Sequence, residues 1–173
     1  SGIENGTIVA NYTENTAIVQ RVANITVSVT GLTPIVVTVT QAAAGPLLGV
    51  TPANQNVPSM ANATSFSVNS NLAWTAVSNA TWCTVTPSGT GSGALQANST
   101  ENVNTTQRIA TITVTGAGVP PVQVTVTQAA ANASISVTPD NQNVTSPAGS
   151  TTFNVTSNSS WSAQSSASWC AVT

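Results

Sequence analysis

A chain of 173 residues with two arginines, no lysine, no histidine and four carboxylates has a net charge of −2 and only 3% charged residues. That balance excludes an electrostatic footprint for nucleic acid or anionic lipid, and it removes the usual general bases and Schiff-base nucleophiles. No apolar run approaches the roughly 20 residues of a spanning helix, so helical membrane insertion is excluded, and abundant alternating β-branched residues argue against disorder.

In chain order, the first segment already belongs to a repeat. Residues 1–43 contain QRVANITV from Gln20 and VTVTQAAA from Val37, and these return as QRIATITV from Gln107 and VTVTQAAA from Val124. The offset is 107 − 20 = 87 in the first case and 124 − 37 = 87 in the second, with no gap. Residues 44–130 form one whole period. Residues 131–173 begin the next, with VTPDNQNV at Val137 answering VTPANQNV at Val50. Ser1 matches Ser88 and Thr173 matches Thr86, so residues 1–43 are a C-terminal half-repeat and residues 131–173 an N-terminal one.

A period of 87 residues suits a small β-sandwich. Within 44–130, strands are predicted near 47–51, 64–69, 73–78, 82–86, 93–98, 107–115 and 122–129, a spacing typical of sandwiches. Ile109–Val114 and Val122–Thr127 alternate apolar and polar residues, as half-buried strands do. Val119-Pro120-Pro121 makes them a hairpin, and Thr86–Gly93 reads as the strongest turn of the repeat. No segment has helical periodicity. The predicted fold class is all-β: tandem Ig-like antiparallel sandwiches, one complete repeat with two complementary half-repeats.

Several of these motifs carry a resemblance. Phe66–Asn71, Trp74-Thr75, Trp82 ahead of Pro-Ser-Gly, Arg108 opening an alternating strand, and Val124–Gln128 resemble the BACON domain. That family is an Ig-like sandwich of secreted and surface proteins of Bacteroidetes. The resemblance implies an extracellular setting, no catalytic residues, and a role as spacer or as carbohydrate-associated module.

Chemistry is sparse. The acids are Glu4, Glu14, Glu101 and Asp140. Glu14 and Glu101 are one position in two repeats, so they do not make a glycosidase pair, and no metal shell or cofactor site can be assembled from one Cys and one Glu per repeat. Glu14 with Arg21, and Glu101 with Arg108, are expected to be structural pairs, either across strands or as a loop clamp. Cys83 and Cys170, one per repeat, are expected to be free and buried, since equivalent points of successive sandwiches lie beyond disulfide reach. Trp74, Trp82, Trp161 and Trp169 are candidates for a glycan-stacking platform, with core packing as the commoner fate of such residues. Trp82 faces away from Cys83 and Val85 and is the better placed for exposure.

A half-sandwich cannot close a core and leaves strand edges open. The two ends are complementary halves. The expected function is therefore structural: a secreted or surface protein that is a subunit of a head-to-tail filament built from copies of the chain, or a segment of a long tandem-repeat fibre or adhesin stalk, with the half-domains of neighbouring units completing each other. The alternative is a glycan-binding module.

Overall fold

A computed structural model describes Gly2 and residues 4–173; Ser1, the expected counterpart of Ser88, lies outside the described residues. Thirteen strands and no helix occur among the described residues. Two are N-terminal, β1 (Arg21–Val27) and β2 (Ile35–Gln41). Nine make the central sandwich: β3 (Leu48–Thr51), β4 (Asn54–Val57), β5 (Asn62–Ser70), β6 (Ala73–Ser78), β7 (Cys83–Val85), β8 (Ser88–Thr90), β9 (Gly93–Ser99), β10 (Arg108–Gly116) and β11 (Val122–Gln128). The last two are β12 (Ile135–Thr138) and β13 (Asn154–Ser157).

The sandwich packs a five-stranded sheet, β4-β11-β10-β6-β8, on a four-stranded sheet, β3-β5-β9-β7. All pairings are antiparallel except β4 with β11. Alternation in the sequence becomes alternation in burial: Ala110, Ile112 and Val114 on β10, and Val124 and Val126 on β11, are buried with Phe66, Val68 and Leu95 from the facing sheet. Each of these side chains larger than alanine contributes about 1.5–3 kcal/mol on full burial.

Two strands escape sequence reading. Asn54–Val57 (NQNV) forms β4 because the edge of β11 is available to it, with Thr125 and Thr127 Oγ1 each donating to Asn54 Oδ1 at 2.8 and 2.9 Å. Ser88–Thr90, read as part of a turn, forms β8 because Gly89 lets the strand lie against the Trp74 indole. A Cβ there would clash with the ring.

The half-repeats obey a simple rule. The sandwich has seven strand pairings. Only β3–β5 and β10–β11 join strands from the same half of the repeat; the other five join one half to the other. In residues 1–43 the β10–β11 equivalent survives as β1–β2, with Arg21 opposite Gln41 as Arg108 is opposite Gln128. In residues 131–173 the β3–β5 equivalent survives as β12–β13. The equivalents of β4, β6 and β7 form no strand in residues 131–173, nor does that of β9 in residues 1–43, because each pairs only with strands of the other half of the repeat.

Candidate functional site

The residues that seal the central sandwich have counterparts that lie open. Phe66 is 1% exposed and Phe153 47%; Trp74 is 3% and Trp161 54%; Val57 is 7% and Val144 65%; Val124 is 1% and Val37 46%. Nothing in the local sequence differs enough to explain this. The missing ingredient is the second sheet and the inserted strands. The apolar faces of β1–β2 and of residues 131–173 are the candidate functional surface.

This placement corrects one expectation. Cys83 is a free, buried thiol, whereas Cys170 is free and exposed, because the strand that covers Cys83 has no counterpart over Cys170. Burial pushes the Cys83 thiol above its ordinary range, against smaller lowering effects from a Ser78 hydrogen bond and the Arg108 charge.

The tryptophans divide in the same way. Trp74 is buried and its Nε1 donates to the Gly91 carbonyl at 3.0 Å. Trp82 is half-buried, with the Arg108 guanidinium 4.3 Å from its ring centroid. Neither presents a free face in the complete repeat. Trp161 and Trp169 are exposed, but at positions equivalent to those two. A shallow cleft of about 540 Å³ lined by Ala73–Thr75, Ser88–Thr90 and Thr115–Ala117 holds no ionisable side chain. No cluster of metal-ligating side chains occurs among the described residues, and no helix is long and apolar enough to cross a membrane.

The expected acid–base pairs take the form of main-chain clamps rather than ion pairs. Arg108 Nε donates to Gln128 Oε1 at 2.8 Å, and its terminal nitrogen donates to the carbonyls of Thr100 (2.8 Å) and Glu101 (2.9 Å). Arg21 repeats the pattern with Gln41, Thr13 and Glu14. What the arginine reaches at Glu101 is the backbone, because the two hydrogens of one guanidinium nitrogen fit two successive carbonyls. Buried Asn102 ties the same loop down, its Nδ2 donating to the carbonyls of Thr106 and Ala129 at 2.9 Å, and Asn15 does so in residues 1–43.

The clamped loop receives the next repeat. Asn71 Nδ2 donates to the Thr16 carbonyl at 3.3 Å, and Asn158 Nδ2 donates to the Val103 carbonyl, also at 3.3 Å. The main chain adds Ala44 N–H to the Ala17 carbonyl and Ala131 N–H to the Asn104 carbonyl, both at 2.8 Å. Every one of these positions recurs at 87 residues, so the two joints are the same joint. Sequence reasoning missed Asn15, Asn71, Asn102 and Asn158. Their identity across repeats was the available signal, hidden among many other asparagines.

The model of a family described as the viral BACON domain matches residues 47–131 and again 134–173; the two matches start 134 − 47 = 87 residues apart. None of the curated proteins matches. Among solved structures, a Bacteroides ovatus GH5 xyloglucanase in complex with a XXXG heptasaccharide is similar at 20% identity and a TM-score of 0.47, over 49% of this chain and 19% of its own. The chain thus spans about a fifth of that enzyme's length. WR4, a C. elegans MSP family member, is similar at 19% identity and a TM-score of 0.34, over 49% of this chain and 97% of its own.

Proposed function

The chain belongs to the viral BACON domain family, and we propose that it is a structural, extracellular repeat module whose half-repeats are completed, head to tail, by the complementary halves of neighbouring copies. One observation carries this reading: positions sealed in the central sandwich are open in both half-repeats, and the strand pairings absent there are the ones that need the other half. A contact between unlike ends is heterologous, and where its rotation does not close it yields open filaments. The two identical joints support a regular geometry along such a fibre. An extracellular setting accords with the family resemblance carried by the sequence motifs.

Light scattering over a concentration series tests the proposal. The 173-residue chain grows in mass with concentration, while residues 44–130, which contain all seven pairings of the sandwich, keep one mass. A 173-residue chain that stays monomeric throughout contradicts it. If that monomer also binds oligosaccharide and loses binding with Trp161→Ala or Trp169→Ala, the carbohydrate-binding alternative replaces it.

A further inference from the structure

In the central sandwich, β9 is the one strand of its sheet supplied by the second half of the repeat. It lies between β5 and β7, with Asn62 and Cys83 both opposite Ser99, and Ala97 opposite Val85. Its counterpart is Gly6–Tyr12, which pairs with nothing among the described residues and is exposed throughout. The counterparts of its two neighbours, residues 149–157 and 170–172, stand with no strand between them.

We infer that residues 6–12 of one copy insert as the central strand between residues 149–157 and 170–172 of a second copy, with Tyr12 opposite Gly149 and Cys170. The inference rests on the proposed head-to-tail completion and adds its register.

Side-chain size supports that occupant. The Asn62–Ser99 pair of the complete repeat becomes Gly149 and Tyr12. The donor strand gains a large ring where the acceptor loses its side chain, and a cross-strand aromatic packing over glycine is a stabilising arrangement. A pair further along the same face is kept in kind: Phe66 opposite Leu95 becomes Phe153 opposite Ile8, and both of the latter are exposed in the single chain. Trp82 beneath Arg108 becomes Trp169 beneath the second copy's Arg21. The occupant is a second copy because the chain's own two half-repeats form separate sheets, attached to the central sandwich at different places, one at Asn71 and the other at Val103.

Cys170 makes the register testable in the full chain. Directly opposed residues of an antiparallel pair have Cα atoms about 4.5–5.5 Å apart, inside the span of a disulfide. Under diamide, which accepts the two electrons and two protons released, Tyr12→Cys forms a disulfide with Cys170 of the next copy and gives a ladder of covalent multimers on a non-reducing gel. Asn11→Cys, one residue out of register and facing the other side, gives none. A second variant keeps the tyrosine: Ala10→Cys with Val172→Cys in a Cys170→Ser chain gives the same ladder. Fibres that form without a ladder from either pair, or a ladder from Asn11→Cys equal to that from Tyr12→Cys, overturn the register while head-to-tail completion stands. A wild-type chain that never assembles removes both.

Discussion

Identical side chains in unequal surroundings allow a controlled test at the scale of the residue. Trp74 fills the core and bonds Gly91, so Trp74→Ala lowers the unfolding free energy of the central repeat by about 3–5 kcal/mol. Trp161→Ala leaves that unfolding unchanged and weakens assembly. Chemical denaturation followed by far-ultraviolet circular dichroism reads the first effect and light scattering the second; equal destabilisation by both would contradict the burial difference. Arg108 offers a sharper discrimination. Glu101→Gln is neutral because the guanidinium holds the Glu101 carbonyl oxygen, which the substitution keeps. Arg108→Lys costs about 1.5–3 kcal/mol, the range for hydrogen bonds to a charged group, since a single ammonium cannot serve Gln128 and two carbonyls together. A loss with Glu101→Gln equal to that with Arg108→Lys would restore the ion-pair reading. Cys83 adds a pH signature. Its thiol titrates higher folded than unfolded, so its contribution to stability is fully present below the ordinary thiol range. As pH rises through that range the unfolded state ionises first, and stability falls. Urea midpoints therefore decline on the alkaline side, and Cys83→Ala removes the Cys83 part of that decline.

At the scale of the element, a strand here is decided as much by its neighbour as by its own residues. Ile109–Val114 and Val122–Thr127 were legible because alternation and a proline-rich loop mark a hairpin that forms within one half, and their copies pair equally in residues 1–43. Asn54–Val57 and Ser88–Thr90 were not legible: Asn, Ser and Gly carry no strand signal, and the pairing comes from long-range edges. Cys170 was misplaced for the same reason, its covering strand being absent. The joints were invisible because a side-chain amide reaching a distant carbonyl leaves no periodicity. They are testable all the same. Asn158→Asp keeps an acceptor for the Ser134 N–H but loses the donor to the Val103 and Asn132 carbonyls. The Asn71→Asp, Asn158→Asp double variant forms fibres that bend more sharply in electron micrographs than the wild type. Fibres of unchanged stiffness would show that the joint is set elsewhere.

At the scale of the whole molecule, the all-β class was legible in the alternating strands, and the 87-residue offset supplied the expectation of one complete sandwich between two half-repeats. Completion between copies is the central claim. Two truncated chains, residues 1–130 and residues 44–173, each keep the central sandwich and one open half-repeat, so neither can extend a polymer alone. Sedimentation velocity on the two, separately and mixed in equal amounts, tests the claim most directly. The account predicts two monomers that combine into a single one-to-one complex of fixed size. Two species that stay monomeric when mixed, or either one polymerising alone, would contradict it.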